Sequence, residues 1–191
     1  MAGAAPTPRS ADERSCYKRS SVSDPNLHRP EWDFDLPEAP FRARAMRLGP
    51  RTGAQELGAT LFEIDPGGAT SPYHVHHGNE ELLIVLSGTP RLRTPDGVRE
   101  LEPGTVVSFP RGPGGAHRVF NEGDQPARLL ILSTMNVPDV AEHADTGTWL
   151  ALIGPQDGKA FPAGSDTPFM ETVVQAMRAA AEHERGDTPA G

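Results

Sequence analysis

Three side chains that could bind a metal ion lie close together in the sequence. His74 and His76 are two positions apart, so on a β-strand both imidazoles leave the same face, with Cα atoms roughly 6.6 Å apart at a rise of about 3.3 Å per residue. Glu81 opens the apolar run 82–86, where a carboxylate is costly unless a positive charge neutralises it. A divalent cation would do so. Such residues are also typical of exposed strand edges and loops, and their spacing leaves both interpretations open.

A second segment, residues 104–121, shows the same succession of turn and strand and ends near a further histidine. Gly104 and Pro110 bracket five residues that are expected to form a strand, and Gly112 then marks another turn. His117 and Asn121 follow in the next strand. The segment therefore adds one more imidazole that could lie near the first three side chains.

Together the two segments resemble the paired signature motifs of the cupin superfamily. The first motif reads Gly68, five residues, His74-x-His76, four residues, Glu81, six residues and Gly88. The second reads Gly104, five residues, Pro110-x-Gly112, His117, three residues and Asn121. Four residues separate Gly112 from His117 where the family usually has two, so the loop before His117 is longer. The resemblance covers about residues 61–133 and implies a single-domain, conserved-barrel member of the superfamily.

The resemblance implies an all-β fold, the cupin double-stranded β-helix or jelly-roll barrel, and a metal site. By the same resemblance, one divalent transition metal ion is held by His74, His76, Glu81 and His117. Imidazole and carboxylate ligands suit iron(II), manganese(II), nickel, zinc or cobalt, and the sequence does not choose among them. Four protein ligands leave two positions for substrate or dioxygen on an octahedral ion and none on a tetrahedral one.

Function is less constrained, because the superfamily includes both enzymes and binding proteins. The leading hypothesis is a metal-binding cupin that acts on a small organic molecule as a dioxygenase-type oxidoreductase. The alternatives are a non-catalytic metal- or ligand-binding module, and a metal-dependent isomerase, decarboxylase or lyase. Strand parity places Leu83 and Val85 on the side of Glu81, and Val119 on the side of His117. We therefore expect an apolar lining without a second proton-transfer group, which favours oxygen chemistry over acid–base chemistry.

The residues around the motifs are predicted to serve mainly as surface or turn residues. Glu80 and His77 have the wrong parity to face the site and are expected at its rim. Four others could lie near the mouth of the site or merely end turns and strands: Tyr73, Asn79, Arg111 and Asn121. Beyond the four metal ligands, the sequence identifies no catalytic residue.

Composition narrows the class of partner. The net charge of −8 and the pI near 5.3 argue against nucleic acid or an anionic membrane surface, so a small molecule is the expected partner. No apolar run is long enough to span a membrane, and the single cysteine, Cys16, can form no internal disulfide. We therefore expect a cytoplasmic protein. Because cupins are often dimers, the resemblance also leaves a homodimer open.

Three regions are expected along the chain. Residues 1–25 are rich in Ala, Ser, Pro and Arg and are predicted to be a disordered tail. Residues 26–155 are predicted to form the cupin barrel domain, entered through an extended N-terminal arm. Residues 156–191 are predicted to be a tail with a helix at about 168–184, where apolar residues recur at helical spacing. Residues 50–58 are expected to be a loop, and 149–153 the only strand between 134 and 164.

Overall fold

The computed structural model describes residues 24–154, 157–165 and 168–186. In this part of the chain, strands dominate. They are β1 (Phe34–Leu36), β2 (Ala43–Arg47), β3 (Gly58–Ile64), β4 (His74–His76), β5 (Glu81–Ser87), β6 (Arg91–Thr94), β7 (Gly97–Glu100), β8 (Val106–Phe109), β9 (Arg118–Phe120), β10 (Ala127–Ser133), β11 (Asp139–His143), β12 (Thr148–Gly154) and β13 (Asp157–Phe161). The helices are α1 (Leu48–Thr52), α2 (Phe169–Gly186) and a short 3-10 helix at Pro113–Gly115.

The strands form three antiparallel sheets. The six-stranded sheet has the order β1-β2-β3-β10-β5-β8, the four-stranded sheet β13-β12-β11-β4, and the three-stranded sheet β7-β6-β9. Strands distant in sequence are therefore neighbours in space, as β10 is between β3 and β5. The sheets do not close into one continuous barrel, but the arrangement is consistent with a jelly roll and confirms the predicted fold class.

The hydrophobic core lies between the sheets and is built by strand alternation. On β5, Leu83 and Val85 point inward, and both are at most 1% exposed. They pack with Ile64, Phe109 and Leu129 of the same sheet, with Leu92 and Val119 of the three-stranded sheet, and with Leu101, which follows β7. Full burial of such a side chain contributes about 1.5–3 kcal/mol. This core fixes the register of β5, and with it the position of Glu81 at the start of that strand.

The other face of β3 is covered as well. Leu61 is fully buried there beside Met46 of β2. Glu63 lies in register between Arg44 of β2 and Arg128 of β10, and both arginines pair with its carboxylate. On this face the six-stranded sheet therefore pairs one buried carboxylate with two partly exposed arginines.

Two local expectations were wrong. Residues 134–164 contain three strands, β11, β12 and β13, where only 149–153 was expected. The inward positions of β11 include Asp139 and Ala141, so the strand lacks the apolar alternation by which a strand is recognised. The expected loop at 50–58 begins inside the short helix α1, whose Arg51 pairs with Glu31 and Asp33. These ion pairs hold a helix that Gly and Pro would otherwise disfavour.

The predicted C-terminal helix is confirmed as α2 and ends two residues later than expected. The proposed disordered tail at 1–25 lies almost wholly outside the described residues, and the domain boundaries stay predictions. In the described ranges, neither α-helix combines the length and the apolar character that crossing a membrane requires.

Candidate metal centre

The backbone of β4 places His74 and His76 on one face of the strand. Val75 between them is 3% exposed and points into the protein, so the two imidazoles point the other way. His117 is held beside them by a pair of backbone hydrogen bonds. Its N–H donates to the carbonyl of His74 at 2.8 Å, and the N–H of His74 donates back at 3.0 Å. The ring centroids of His74 and His117 are 4.5 Å apart.

The longer loop before His117 forms the 3-10 helix Pro113–Gly115. The N–H of Gly112 donates to the carbonyl of His76 at 2.8 Å, which ties the loop to β4. Gly115 passes so close to Pro110 that a Cβ atom would lie 1.8 Å from its carbonyl oxygen, so only glycine fits. The extra length of this loop relative to the family's motif thus forms one helical turn, and His117 still reaches the site.

Glu81 completes the cluster from the neighbouring sheet. The potential ligand atoms of His74, His76 and Glu81 all lie within 4.8 Å of one another. Nε2 of His117 is 3.3 Å from Oε2 of Glu81, and Nε2 of His76 is 3.9 Å from the same oxygen. Among the described residues, this group of mutually close ligand atoms comprises His74, His76 and Glu81. His117 is not part of the group, but its Nε2 atom contacts the carboxylate of Glu81. The ring of Phe109 stacks on the imidazole of His117 with ring centroids 3.7 Å apart, and this contact fixes the plane of the imidazole.

Each of the three imidazoles has its Nδ1 atom engaged by an acceptor oxygen. The partners are the Pro72 carbonyl for His74 at 3.0 Å, Asp139 Oδ2 for His76 at 2.6 Å, and the Gly115 carbonyl for His117 at 3.0 Å. A carbonyl oxygen only accepts, so in His74 and His117 the proton lies on Nδ1. The carboxylate of Asp139 favours the same tautomer in His76. This leaves Nε2 of all three rings as a lone-pair donor.

The electrostatics of the cluster suit a cation. Burial, together with the neighbouring His117 and His76, lowers the pKa of His74 to about 4, so its imidazole is neutral at neutral pH. Burial opposes ionisation of Glu81, but its close contacts with His117 and His76 hold the pKa of Glu81 below its ordinary value. An ionised carboxylate therefore faces imidazole lone pairs, an arrangement that a divalent transition metal ion stabilises. The donor set fits such an ion, with Glu81 as the only charged ligand.

Asp139, on β11, was missed by the sequence analysis. It is 2% exposed, and besides its contact with His76 its Oδ1 accepts the N–H of Gly78 at 2.7 Å. Burial opposes its ionisation, but hydrogen bonds from Asn79, His76 and Gly78 hold the pKa of Asp139 below its usual value. The pairing of β4 with β11 brings it to the site. A carboxylate in this position orients a metal-ligating histidine.

The cluster lies at the wall of a cavity of about 270 Å³. The predicted lining by Leu83, Val85 and Val119 was wrong, because these side chains belong to the core. The lining comes mainly from β3, β10, β12 and residues 135–137. Its apolar members are Phe62, Ile131, Met135, Val137 and Leu152, and its uncharged polar members include Thr60, Ser71, Asn79, Ser133 and Asn136. Within the described ranges, no lysine or arginine lines it.

The rim residues predicted from the sequence have other surroundings. Glu80 is exposed, and His77 stacks on Trp149 with ring centroids 5.5 Å apart, so both face away from the cluster as expected. Tyr73 lies under the guanidinium of Arg93, whose Cζ atom is 3.9 Å from the centroid of the Tyr73 ring.

Arg111 and Asn121, which could also have lain near the mouth of the site, have other surroundings as well. Arg111 is exposed and lines a neighbouring groove. Asn121 is a buried corner residue whose side-chain N–H groups donate to the carbonyls of Ile64 and Gln125 at 2.9 and 2.8 Å.

Comparisons with known proteins agree with the geometry. Residues 60–133 match the family model of the cupin domain. The auxin-binding protein ABP19b of Prunus persica is 34% identical over 87 residues, which are 39% of this chain and 38% of that protein. The chain thus spans well under half the length of this curated relative.

Two solved structures are similar over a larger share of the fold. One is a cupin-superfamily sugar phosphate isomerase from Silicibacter pomeroyi, with a TM-score of 0.60, 25% identity, and coverage of 67% of this chain and 82% of that one. The other, from Acidithiobacillus ferrooxidans, is named for a proposed sugar phosphate isomerase activity and has a TM-score of 0.61, 25% identity, and coverage of 66% and 80%. With the motif residues gathered in one site, the chain is a conserved-barrel protein of the cupin superfamily.

Proposed function

We propose that this protein is a mononuclear metal-dependent oxidoreductase of dioxygenase type, with His74, His76, Glu81 and His117 as ligands and a small organic molecule as substrate. One observation carries the proposal. Three Nε2 lone pairs and an ionised carboxylate face one another at the wall of an open cavity, while every Nδ1 atom is already engaged. Without a cation between them, such donors repel one another.

The metal would supply Lewis acidity and, if it is redox-active, the electrons that dioxygen activation needs. The chain's own residues do the rest. Asp139 keeps the proton of His76 on Nδ1 and aims Nε2 at the site. Ser133 lies opposite Glu81 in the β5–β10 register and, like Thr60, presents a hydroxyl to the cavity. These two hydroxyls can orient a substrate, and the apolar walls keep water away from the reacting atoms.

Acid–base chemistry is less well supported by the lining. Apart from the four ligands, Asp139 is the only carboxylate lining the cavity in the described part of the chain, and both of its oxygens are engaged. No lysine, tyrosine or further histidine of the described residues lines it. An isomerase needs a group that accepts and returns a proton, so oxygen chemistry, which asks less of the side chains, fits better.

Metal-dependent isomerisation is the second candidate, because two similar structures are named for sugar phosphate isomerase activity. A sugar phosphate substrate would also need a cation for its phosphate group, commonly an arginine. Since no described lining residue provides one, this candidate ranks below the first. The name of the Prunus persica relative refers to ligand binding, and binding without turnover is the outcome expected if neither activity is found.

The test begins with elemental analysis of the purified protein, where we expect close to one transition metal ion per chain. Oxygen consumption is then measured with catechols, 1,3-diketones and keto acids after loading with iron(II), manganese(II) or nickel(II). Isomerisation of pentose and hexose phosphates is measured in parallel. Oxygen consumption by one compound class supports the dioxygenase proposal, and isomerisation without oxygen consumption would replace it.

The matched variants are His76→Ala and His77→Ala, which remove neighbouring histidines on opposite faces of the same segment. We expect His76→Ala to lose the metal and the activity, and His77→Ala to keep both. Full metal occupancy in His76→Ala would refute its role as a ligand. No metal and no turnover in the native protein would refute the proposed function as a whole.

A further inference from the structure

The metal cavity is lined by few ionisable side chains. Its carboxylates are Glu81 and Asp139, and the three imidazoles bring no charge when they act as ligands. A divalent ion balances the two carboxylates. A negative charge at the far end of a bound molecule, away from the oxygens that bind the metal, would therefore lie in the cavity without a partner, which costs several kcal/mol unless it stays hydrated.

Two arginines of adjoining grooves do not change this balance. Arg111 is exposed and lines a groove beside the cavity, together with Met135 and Val137. Arg47 lines another adjoining groove, and its guanidinium lies over the ring of Phe34, 5.0 Å from the centroid. Neither contributes to the lining of the metal cavity.

The cavity also offers hydroxyl groups beside apolar surface. Ser133 adjoins Glu81 in register, and Thr60 opposes Ile131 across β3 and β10. Neither hydroxyl has a hydrogen-bond partner among the described residues, so both are available to a ligand bound at the metal. Further apolar surface is provided by Phe62, Val137 and Leu152.

We infer that the cavity binds a small oxygen chelate with an uncharged, largely apolar body, of which a substituted catechol is an example, and that it rejects phosphorylated or otherwise anionic bodies. This rests on the proposed function, because the chelating oxygens bind at the metal centre. The chelating end receives hydrogen bonds from Thr60 and Ser133, and the body packs on Phe62, Ile131 and Leu152. A volume of about 270 Å³ admits one substituted ring.

The test compares two probes with the same chelating end, 4-methylcatechol and 3,4-dihydroxybenzoate, which differ in the charge at the far end. Binding to the nickel(II)-loaded full chain is measured by anaerobic titration calorimetry, with ribose 5-phosphate as a third probe. Each catechol's affinity is divided by its affinity for nickel nitrilotriacetate, which removes differences in intrinsic chelation.

We expect the corrected affinity of 4-methylcatechol to exceed that of 3,4-dihydroxybenzoate by about tenfold or more. Ribose 5-phosphate should show no saturable binding. Equal affinities for the two catechols, or tighter binding of ribose 5-phosphate, would overturn the inference. Nickel content is measured on the same sample. A chain that fails to bind nickel overturns both the proposed function and this inference, whereas a nickel-loaded chain with the opposite preference overturns only the inference.

A charge placed in the cavity sharpens the test. Val137 lines the cavity and is 51% exposed, so Val137→Lys should fold and bring an ammonium group to the mouth. The matched control is Val106→Lys, at a position on β8 that is 57% exposed and outside the cavity lining. We expect Val137→Lys to improve binding of 3,4-dihydroxybenzoate about fivefold relative to 4-methylcatechol and Val106→Lys to leave the ratio unchanged. The same change in both variants would contradict the inference.

Discussion

Two glutamates of the six-stranded sheet, the buried Glu63 and the partly buried Glu81, have opposite kinds of surroundings. The side chain of Glu63 is 6% exposed and lies between two arginines, Arg44 and Arg128, which pair with it from both neighbouring strands. The side chain of Glu81 is 13% exposed, and its ionisable neighbours are His76 and His117. Both carboxylates are costly to bury. Only for Glu63 do positively charged side chains of the protein itself balance the negative charge.

The difference separates a structural carboxylate from a functional one. Glu63 links three strands and is not among the residues that line the metal cavity. Glu81 lies on a cavity wall, faces imidazole lone pairs, and keeps its negative charge because its pKa is depressed. A positive charge from outside the chain is what this second arrangement lacks, and this is why Glu81 is assigned to the metal and Glu63 is not.

The most direct way to break this comparison is to neutralise each glutamate in turn. Glu81→Gln should lower metal affinity by about 100-fold or more, since it removes the only charged ligand. Glu63→Gln should leave metal affinity unchanged but cost roughly 1–3 kcal/mol of unfolding free energy, because two partly exposed arginines lose their partner. Nickel titration and urea unfolding of the metal-free proteins measure the two effects. Similar effects of both substitutions would show that the distinction is wrong.

The comparison also predicts that Asp139 acts through His76. In Asp139→Asn, an amide N–H can face Nδ1 and favour the tautomer with the proton on Nε2, so metal affinity should fall about 10–100-fold. The ¹⁵N shifts of His76 should report the change of tautomer. Glu142→Gln is the control on the same strand, since Glu142 lies near His77 and not at the cluster. An unchanged tautomer and metal affinity in Asp139→Asn would exclude the positioning role.

Lowering the pH should reduce the unfolding free energy of the metal-free protein. The folded-state pKa of His74 is about 4, below its ordinary value of 6.5, so between these pH values the unfolded chain binds more protons than the folded one. Its contribution to stability is therefore complete above pH 6.5 and is lost as pH falls to about 4. We expect a loss of roughly 1–3 kcal/mol across this window in urea unfolding. The loss should be smaller in His74→Gln, and a wild-type profile that is flat between pH 6.5 and 4 would contradict the assignment.

The smallest effect is expected at His77, which directly follows β4 and faces away from the cluster. His77→Ala removes a ring that stacks on Trp149 at an interplanar angle of 11°. Unfolding free energy should fall by about 0.5–1.5 kcal/mol, and metal affinity should not change. Calorimetric unfolding and elemental analysis test both statements. A lower metal content would mean that the two faces of this segment are not independent.

Much of the site could be predicted from local spacing and motif. His74 and His76 share a face because a strand alternates, and Glu81 stood out as a charge at the head of an apolar run. The family's second motif added His117. Asp139 could not be found in this way, because it is 63 positions from His76 and its strand has no apolar alternation. The cavity lining was predicted wrongly for a related reason, since parity gives the face of a residue but not what lies opposite.

The sequence alone determined the type of fold, the grouping of the three residues of the first motif and the net negative charge, because alternation, turn chemistry and charge are local properties of the chain. Tertiary structure decided which carboxylate is compensated, which histidine nitrogen carries the proton, and which residues face the cavity. These depend on strand order and register. The pairing of β4 with β11 and of β3 with β10 joins segments more than 60 residues apart, and no local pattern encodes that choice.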